Sequence, residues 1–215
     1  MKITAFEGSP RKNGNSSLLL DAFLEKTAVD AVVKRYRTDE LELKPCRGCL
    51  MCNVLKHCAL RKDDWEKLSE QILDSDVVAF ATPIYFHHTT SSMKKLLDRF
   101  RSFLHVQITE DGIIHKTHQK WNKKFILLTA HGSSSVEDAA SLNELFDFII
   151  ETLGPENSIE RINAVRLAVR GQIGFDLQQL EKTYVKLGLP AYLAVEDSKK
   201  NAEWLATAGY LAENL

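Results

Sequence analysis

The 215-residue sequence lacks any apolar run as long as a membrane span and has almost no excess of charge of either sign. A transmembrane helix needs about 20 consecutive apolar residues, so we expect no membrane partner. The formal net charge is only −1 at pH 7, whereas a protein dedicated to nucleic acid needs a basic surface. We therefore expect no nucleic-acid partner. The start MKITAFEGSP becomes polar too early for a secretory signal peptide, which predicts a cytoplasmic protein.

Cysteine is absent except in residues 46–58, CRGCLMCNVLKHC, which contain all 4 cysteines of the chain. Because thiols stay reduced in the cytoplasm, this location argues against disulfides. Zinc ligands usually form two pairs separated by a longer spacer, which the spacing C-x2-C-x2-C-x5-C does not match. The spacing is instead similar to that of bacterial ferredoxins, in which closely spaced thiolates bind iron–sulfur clusters. The candidate ligands are Cys46, Cys49, Cys52 and Cys58.

The rest of the chain has an ordinary globular composition and an alternating pattern. Hydrophobic residues make up 44% of it and charged residues 27%, which predicts one folded domain. Strands are predicted at residues 2–8, 31–36, 77–83, 124–132 and 164–169, and helices at 17–29, 63–76, 91–104, 135–154, 176–188 and in the tail. This alternation predicts an α/β fold with a parallel sheet and helices on both faces. Residues 37–62 and 105–123 follow neither pattern and are predicted to be irregular insertions.

The loop after the first predicted strand, EGSPRKNGNSSLLL, is rich in groups that bind anions. Ligands of parallel α/β sheets bind beyond the carboxyl ends of the strands, where this loop lies. Backbone N–H groups at the start of the next helix, together with the helix dipole, suit a terminal phosphate. The candidate phosphate ligands are Ser9, Arg11, Asn13, Asn15, Ser16 and Ser17. The alternative is a polar loop whose Asn and Ser side chains only cap the helix.

Three segments carry a resemblance to a known family. GSPRKNGNSS resembles the FMN-phosphate loop of the flavodoxin-like NAD(P)H-dependent FMN reductase superfamily. TPIYFHHTTSSMKKLLDR (82–99) resembles the segment that packs against the isoalloxazine ring, and TAHGSS (129–134) resembles the third, glycine-containing loop. The resemblance covers about residues 1–170. It implies that the flavin is also bound by Pro83, Ile84, Tyr85, Phe86, His131 and Gly132.

The resemblance also implies an architecture. We expect a single flavodoxin-like FMN-binding domain over residues 1–215, with a doubly wound five-stranded parallel sheet of order 2-1-3-4-5 in three α/β/α layers. A cysteine-rich insertion at about 44–62 and a helical C-terminal tail complete it. For Tyr85 and Phe86 the alternative to flavin contact is core packing, the commoner position of aromatic side chains.

The cysteine motif resembles that of the iron–sulfur flavoproteins, a branch of the same superfamily with the motif after the second strand. This implies that the four cysteines bind one [4Fe–4S] cluster close to the FMN. The basic residues Lys44, Arg47 and Lys56 are expected to lower the pKa values of these thiols. In other superfamily members, similar loops hold free thiols or only cover the flavin, and these alternatives remain open.

The function implied by the resemblance is that of an FMN-dependent oxidoreductase. Such an enzyme takes hydride from NAD(P)H, a transient co-substrate, and reduces a flavin, quinone or other small-molecule electron acceptor. The flavin carries this chemistry, so we expect no catalytic side chain. The alternative is an iron–sulfur flavoprotein that carries electrons supplied by ferredoxin. The resemblance further implies a homodimer or homotetramer that closes over the flavin.

Overall fold

Three central strands are apolar along nearly their whole length and are buried on both faces, as their sequences predict. In the computed structural model, which describes residues 1–215, these are β1 (Lys2–Glu7), β3 (Val77–Pro83) and β6 (Lys124–Ala130). The edge strands are β2 (Val32–Arg37) and β7 (Ser158–Ala164). All neighbouring strands of this five-stranded sheet pair in parallel, in the order β2-β1-β3-β6-β7.

A hairpin interrupts the alternation and changes the strand numbering. Strands β4 (Leu104–Thr109) and β5 (Gly112–Thr117) form a separate antiparallel two-stranded sheet. The predicted order 2-1-3-4-5 therefore holds only when the five sheet strands are counted among themselves. The prediction that residues 105–123 are irregular was wrong over most of its length. The hairpin is largely exposed, so its sequence lacks the apolar alternation of a half-buried strand.

The fifth strand of the sheet was predicted too late in the sequence. It spans Ser158–Ala164 instead of residues 164–169, and its residues are mostly exposed or partly exposed. An edge strand with this exposure carries polar side chains, which hide it from a search for apolar runs. The apolar segment that follows forms a loop, in which Val165 and Leu167 are buried.

Helices cover both faces of the sheet and give three layers. They are α1 (Asn15–Leu24), α2 (Cys52–Leu55), α3 (Trp65–Asp74), α4 (Ser91–Arg99), α5 (Ala140–Leu153), α6 (Leu177–Lys186) and α7 (Leu193–Glu213). One apolar core contains side chains of α3, α4 and α5. The other contains side chains of α1 and α7. None of these helices combines the length and the apolar character of a membrane span.

A buried ion pair fixes the cysteine-containing segment to the helix layer. Arg99, the last residue of α4, lies 2.5 Å from the carboxylate of Asp63, and the two side chains are 0% and 2% exposed. Arg99 also donates a hydrogen bond to the carbonyl of Lys44 at 2.7 Å. Burial alone would raise the pKa of Asp63. Hydrogen bonds from Arg99 and from the backbone N–H groups of Lys44 and Trp65, together with the charge of Arg99, outweigh it and hold that pKa below its usual value. The pair therefore stabilises the fold through a charged carboxylate.

Replacing this carboxylate should destabilise the protein in a pH-dependent way. Asp63→Asn leaves Arg99 buried without a counter-charge, so we expect the free energy of unfolding in urea to fall by about 3 kcal/mol at pH 7. The folded-state pKa of Asp63 is depressed, so its contribution is complete above the unfolded-state value near about 4 and is lost as the pH falls further. The difference between wild type and variant should shrink accordingly. Asp74→Asn, which breaks an exposed pair with Lys2, is the control; equal urea midpoints for both variants would contradict the account.

Candidate functional site

A cavity of about 230 Å³ opens at the carboxyl ends of the parallel strands. Nine of the twelve side chains predicted to bind flavin line it: Ser9, Arg11, Asn15, Ser16, Pro83, Ile84, Tyr85, His131 and Gly132. The other lining residues are Gly14, Ala130, Leu167, Ala168 and Arg170. Three loops that are distant in sequence therefore meet at one site, together with a fourth loop that the sequence analysis did not predict.

The N-terminus of α1 forms one end of this cavity and lacks a side-chain cap. Its N-cap residue is Gly14, and no side chain accepts a hydrogen bond from the first turn. Because the first N–H groups of a helix have no partner within the helix, they are available to an anion. The hydroxyl of Ser16 lies in the same turn, is buried, and has no hydrogen-bond partner in the protein. This end of the cavity therefore offers hydrogen-bond donors that have no acceptor within the protein.

The loop before α1 is tightly folded around Gly14. The hydroxyl of Ser9 accepts a hydrogen bond from the backbone N–H of Arg11 at 3.2 Å. A Cβ atom on Gly14 would lie 2.7 Å from the Ser9 hydroxyl and 3.2 Å from the Arg11 carbonyl. Only glycine therefore allows this close approach of the loop to the helix start.

Three of the predicted residues do not line the cavity. Asn13 has a left-handed backbone, with φ 56°, and an exposed side chain. Ser17 donates a hydrogen bond at 2.6 Å to the buried carboxylate of Glu7. Phe86 is 101% exposed at the rim. These residue types are suited to binding a flavin nucleotide. Their backbone positions, however, place the side chains outside the cavity.

Asn15 lines the cavity, yet its side chain already has partners in the protein. Its amide group donates to the carbonyls of Leu167 at 3.1 Å and Val169 at 2.9 Å. Its amide oxygen accepts from the backbone N–H of Ile173 at 3.0 Å. Asn15 therefore ties the start of α1 to the loop after β7, and its backbone N–H is the group left for a ligand.

The second loop ends in a tight turn at the cavity rim. The backbones of Tyr85 and His88 exchange two hydrogen bonds, at 2.7 and 3.0 Å. Phe86 and His87 between them have φ values of 50° and 59°, as in a type I′ turn. Ile84 donates a backbone hydrogen bond to the carbonyl of Ala130 at 3.2 Å. The second and third loops are thereby joined into one wall of the cavity.

His131 contributes an unpartnered imidazole to this wall. The residue is 5% exposed, and neither ring nitrogen has a hydrogen-bond partner in the protein. Burial lowers the pKa of His131, against a smaller opposing effect of the Asp138 charge and with a further lowering by His87. The ring is therefore neutral at pH 7 and can offer one donor and one acceptor to a ligand.

A second, smaller cavity is lined by the four thiols of Cys46, Cys49, Cys52 and Cys58. All four cysteines are free. No group of three or more His, Cys, Asp or Glu side chains lies close enough together to hold a single metal ion. In an iron–sulfur cluster each thiolate binds a different iron, so a wider arrangement of four thiols is compatible with that donor set. The cavity measures only about 20 Å³, so it is too small to hold a cluster without a change in the surrounding residues.

Arg101 makes the closest polar contact with these thiols. It donates a hydrogen bond to the sulfur of Cys52 at 3.3 Å and another to the side-chain oxygen of Asn53 at 3.1 Å. Burial raises the pKa of Cys52, and the Arg101 charge opposes this only in part. The expectation that basic residues of the motif lower the thiol pKa values was therefore wrong for Cys52, and the arginine that contacts it lies outside the motif.

The cysteine segment does not stay at the flavin edge of the sheet. It starts there, where Thr38 forms a 2.8 Å hydrogen bond with Ser92 in the first turn of α4. It then runs along α4 until the Lys44 carbonyl meets Arg99 at the other end. Since α4 has nine residues, it is about 13 Å long, and this part of the segment follows it from one end to the other. The prediction that the cysteines lie close to the FMN stays a prediction.

Comparison with known proteins identifies the family. A family model described as NADPH-dependent FMN reductase matches residues 1–154. The chain belongs to the NADPH-dependent FMN reductase family. The match covers the first three loops of the cavity and the cysteine segment, and it ends before the loop that contains Arg170. The resemblance found in the sequence is confirmed by this match.

Curated relatives of this family member include several iron–sulfur flavoproteins. One from Archaeoglobus fulgidus is 33% identical over 106 residues, which are 49% of this chain and 48% of the relative. One from Methanosarcina thermophila is 32% identical over 104 residues, 46% of this chain and 52% of the relative. The chain spans about half the length of the curated relatives it matches. Their names confirm the resemblance to the iron–sulfur flavoprotein branch.

Solved structures share the fold at low sequence identity. An azoreductase from Bacillus anthracis aligns over 100% of both chains, with a TM-score of 0.62 and 16% identity. An NAD(P)H:quinone oxidoreductase from Methanothermobacter marburgensis aligns over 100% of this chain and 95% of its own, with a TM-score of 0.61 and 14% identity. At these identities the comparison establishes the α/β fold of this family member.

Proposed function

We propose that residues 1–215 form a single FMN-binding domain of a cytoplasmic oxidoreductase that oxidises NAD(P)H and reduces a small-molecule acceptor. The observation that carries this proposal is the cavity at the carboxyl edge of the sheet, where three loops with separate resemblances to flavin loops meet. Family membership supports the same ligand. The names of the curated relatives support a redox protein of this kind.

The phosphate of FMN fits the end of the cavity at α1. The uncapped first turn and the unpartnered Ser16 hydroxyl offer hydrogen-bond donors, and Arg11 lines the same cavity. A phosphate monoester carries close to two negative charges and accepts several hydrogen bonds at neutral pH. In this proposal Ser9 and Gly14 shape the loop, while Arg11, Ser16 and the backbone of Asn15 contact the phosphate.

The ring system of FMN fits the wall formed by the second and third loops. Pro83 and Ile84 offer backbone groups and apolar surface, and Tyr85, which is 42% exposed, offers a planar face. The imidazole of His131 and the backbone of Gly132, in the third loop, belong to the same wall. Bound FMN would supply the hydride and electron transfer chemistry, while these residues orient the ring and exclude water from one of its faces.

Removing the phosphate contacts should weaken FMN binding selectively. We expect the double variant Arg11→Gln/Ser16→Ala to lose about 1–3 kcal/mol of FMN binding free energy, the magnitude of charge-assisted hydrogen bonds. Titration of the apoprotein with FMN, followed by flavin fluorescence, measures this change. Lys12→Gln is the matched control because Lys12 lies in the same loop but does not line the cavity. Unchanged FMN affinity in the double variant would rule out the phosphate assignment.

The four-thiol cavity supports a second candidate function, that of an iron–sulfur flavoprotein carrying electrons supplied by ferredoxin. Cys46, Cys49, Cys52 and Cys58 would hold one [4Fe–4S] cluster, which supplies one-electron transfer when bound. The observation that favours it is that four free thiols converge on one cavity. Arg101 would then donate a hydrogen bond to a ligand sulfur through its contact with Cys52.

Anaerobic reconstitution with iron and sulfide tests these ligands. Wild-type protein should bind about four irons per chain and gain broad visible absorption, because four thiolates hold a [4Fe–4S] cluster. Cys49→Ser should bind clearly less, since it removes an exposed ligand without disturbing a buried side chain. Met51→Leu, in the same exposed segment, is the control and should match wild type. Equal iron incorporation in wild type and Cys49→Ser would exclude the thiols as ligands.

Assembly into a homodimer or homotetramer is part of the proposal. The outer face of the hairpin exposes Ile108 and Ile113 by 75% and 59%. A groove between α4 and α5, which His115 of the hairpin also lines, contains Phe148, which is 53% exposed. Apolar surface of this extent on a small domain favours association. Sedimentation at micromolar concentration should give a multiple of the 24.3 kDa chain mass, and a monomer would contradict this part.

A further inference from the structure

We propose that Arg170, in the loop after β7, is a second arginine that binds the phosphate of FMN. This inference rests on the proposed function, because it concerns the same cavity. Arg170 lies beyond residue 154, where the match to the family model ends. The proposal therefore assigns a ligand-binding role to the C-terminal part of the chain.

The backbone on both sides of Arg170 is held against the phosphate loop. The carbonyl of Val169 accepts a hydrogen bond from the Asn15 side chain at 2.9 Å. On the other side, a Cβ atom placed on Gly171 would lie 3.7 Å from the Asn13 carbonyl. Arg170 is thus located between two contacts with residues 13–15 at the start of α1, and it is one of the residues that line the cavity.

The charges around the cavity leave this guanidinium available to an anion. None of the residues lining the cavity is acidic. Arg35 and Arg37 pair with Glu7, and Arg166 pairs with Asp197, whereas Arg11 and Arg170 have no carboxylate partner. An FMN phosphate carries close to two negative charges at neutral pH, so one arginine and a helix dipole leave part of that charge unpaired. A second arginine supplies the missing charge.

A buried polar network from the C-terminal helices holds the loop in this position. Arg166 forms an ion pair with Asp197 at 2.8 Å, and the hydroxyl of Tyr184 donates to the same carboxylate at 2.6 Å. The Gln172 side chain accepts from the N–H of Val169 at 3.0 Å and donates to the carbonyl of Arg166 at 2.8 Å. Tyr184, Gln172 and Asp197 are each at most 3% exposed. Such a network pre-organises the loop before any ligand binds.

Comparing FMN with riboflavin tests the assignment, because riboflavin lacks only the phosphate. Arg170→Gln should weaken FMN binding by about tenfold, the effect of losing one charge-assisted hydrogen bond, and leave riboflavin affinity unchanged. Arg170→Lys, which keeps the charge, should recover part of the loss. Lys12→Gln should bind both ligands like wild type. Retained riboflavin binding also shows that the variant is folded.

The outcomes separate this inference from the proposed function. If Arg170→Gln binds FMN as tightly as wild type while Arg11→Gln/Ser16→Ala does not, the role of Arg170 is overturned and the FMN site stands. If wild type binds FMN no more tightly than riboflavin, the phosphate site itself is refuted. If Arg170→Gln raises only the KM for NADPH, the phosphate of the nicotinamide cofactor is its ligand and the inference is overturned.

Discussion

The uncapped N-terminus of α1 is the feature on which the candidate site depends. Helix starts normally satisfy some of their free N–H groups with a Ser, Thr, Asp or Asn side chain at the N-cap. Here the N-cap is Gly14, and the hydroxyl of Ser16 in the first turn is buried without a partner. Leaving these donors unsatisfied costs stability. A bound anion offsets that cost, which is why this end of the helix indicates a ligand more strongly than the composition of the loop does.

The surrounding residues keep the helix end open. Glu7, the last residue of β1, is buried, pairs with Arg35 and Arg37, and accepts a hydrogen bond from Ser17. Its negative charge is thereby neutralised and does not repel an anion in the cavity. On the other side, Asn15 ties the helix start to the loop after β7. The side chains of Ser17 and Asn15 are of a type that binds phosphate. Here they instead make hydrogen bonds within the protein that hold the start of α1 in place.

Much of the fold could be predicted from the sequence where burial is complete. β1, β3 and β6 are buried on both faces, so their apolar runs identify them directly. β7 and the hairpin are partly exposed, and their mixed sequences give no such pattern. The error at β7 had a consequence for the site. Because the apolar residues 164–169 predict a strand, the sequence pattern does not indicate the loop that brings Arg170 to the cavity.

The site itself was predictable to the extent that it is formed by consecutive loop residues. The loops containing Ser9, Ile84 and His131 were found by resemblance, and the structure brings them together at one cavity. What the sequence could not give was the direction of each side chain. Phe86 lies in a left-handed turn that points it into solvent. Likewise, the path of the cysteine segment along α4 depends on the buried pair of Arg99 and Asp63, which is a long-range contact.

A crystal structure of the protein with FMN tests the central claim most directly. The account predicts that the phosphate oxygens lie about 3 Å from the Ser16 hydroxyl and from the first backbone N–H groups of α1. The isoalloxazine ring should lie against the wall formed by the loop of Ile84 and the loop of His131. FMN bound at the groove between α4 and α5, or a phosphate away from the start of α1, would contradict it.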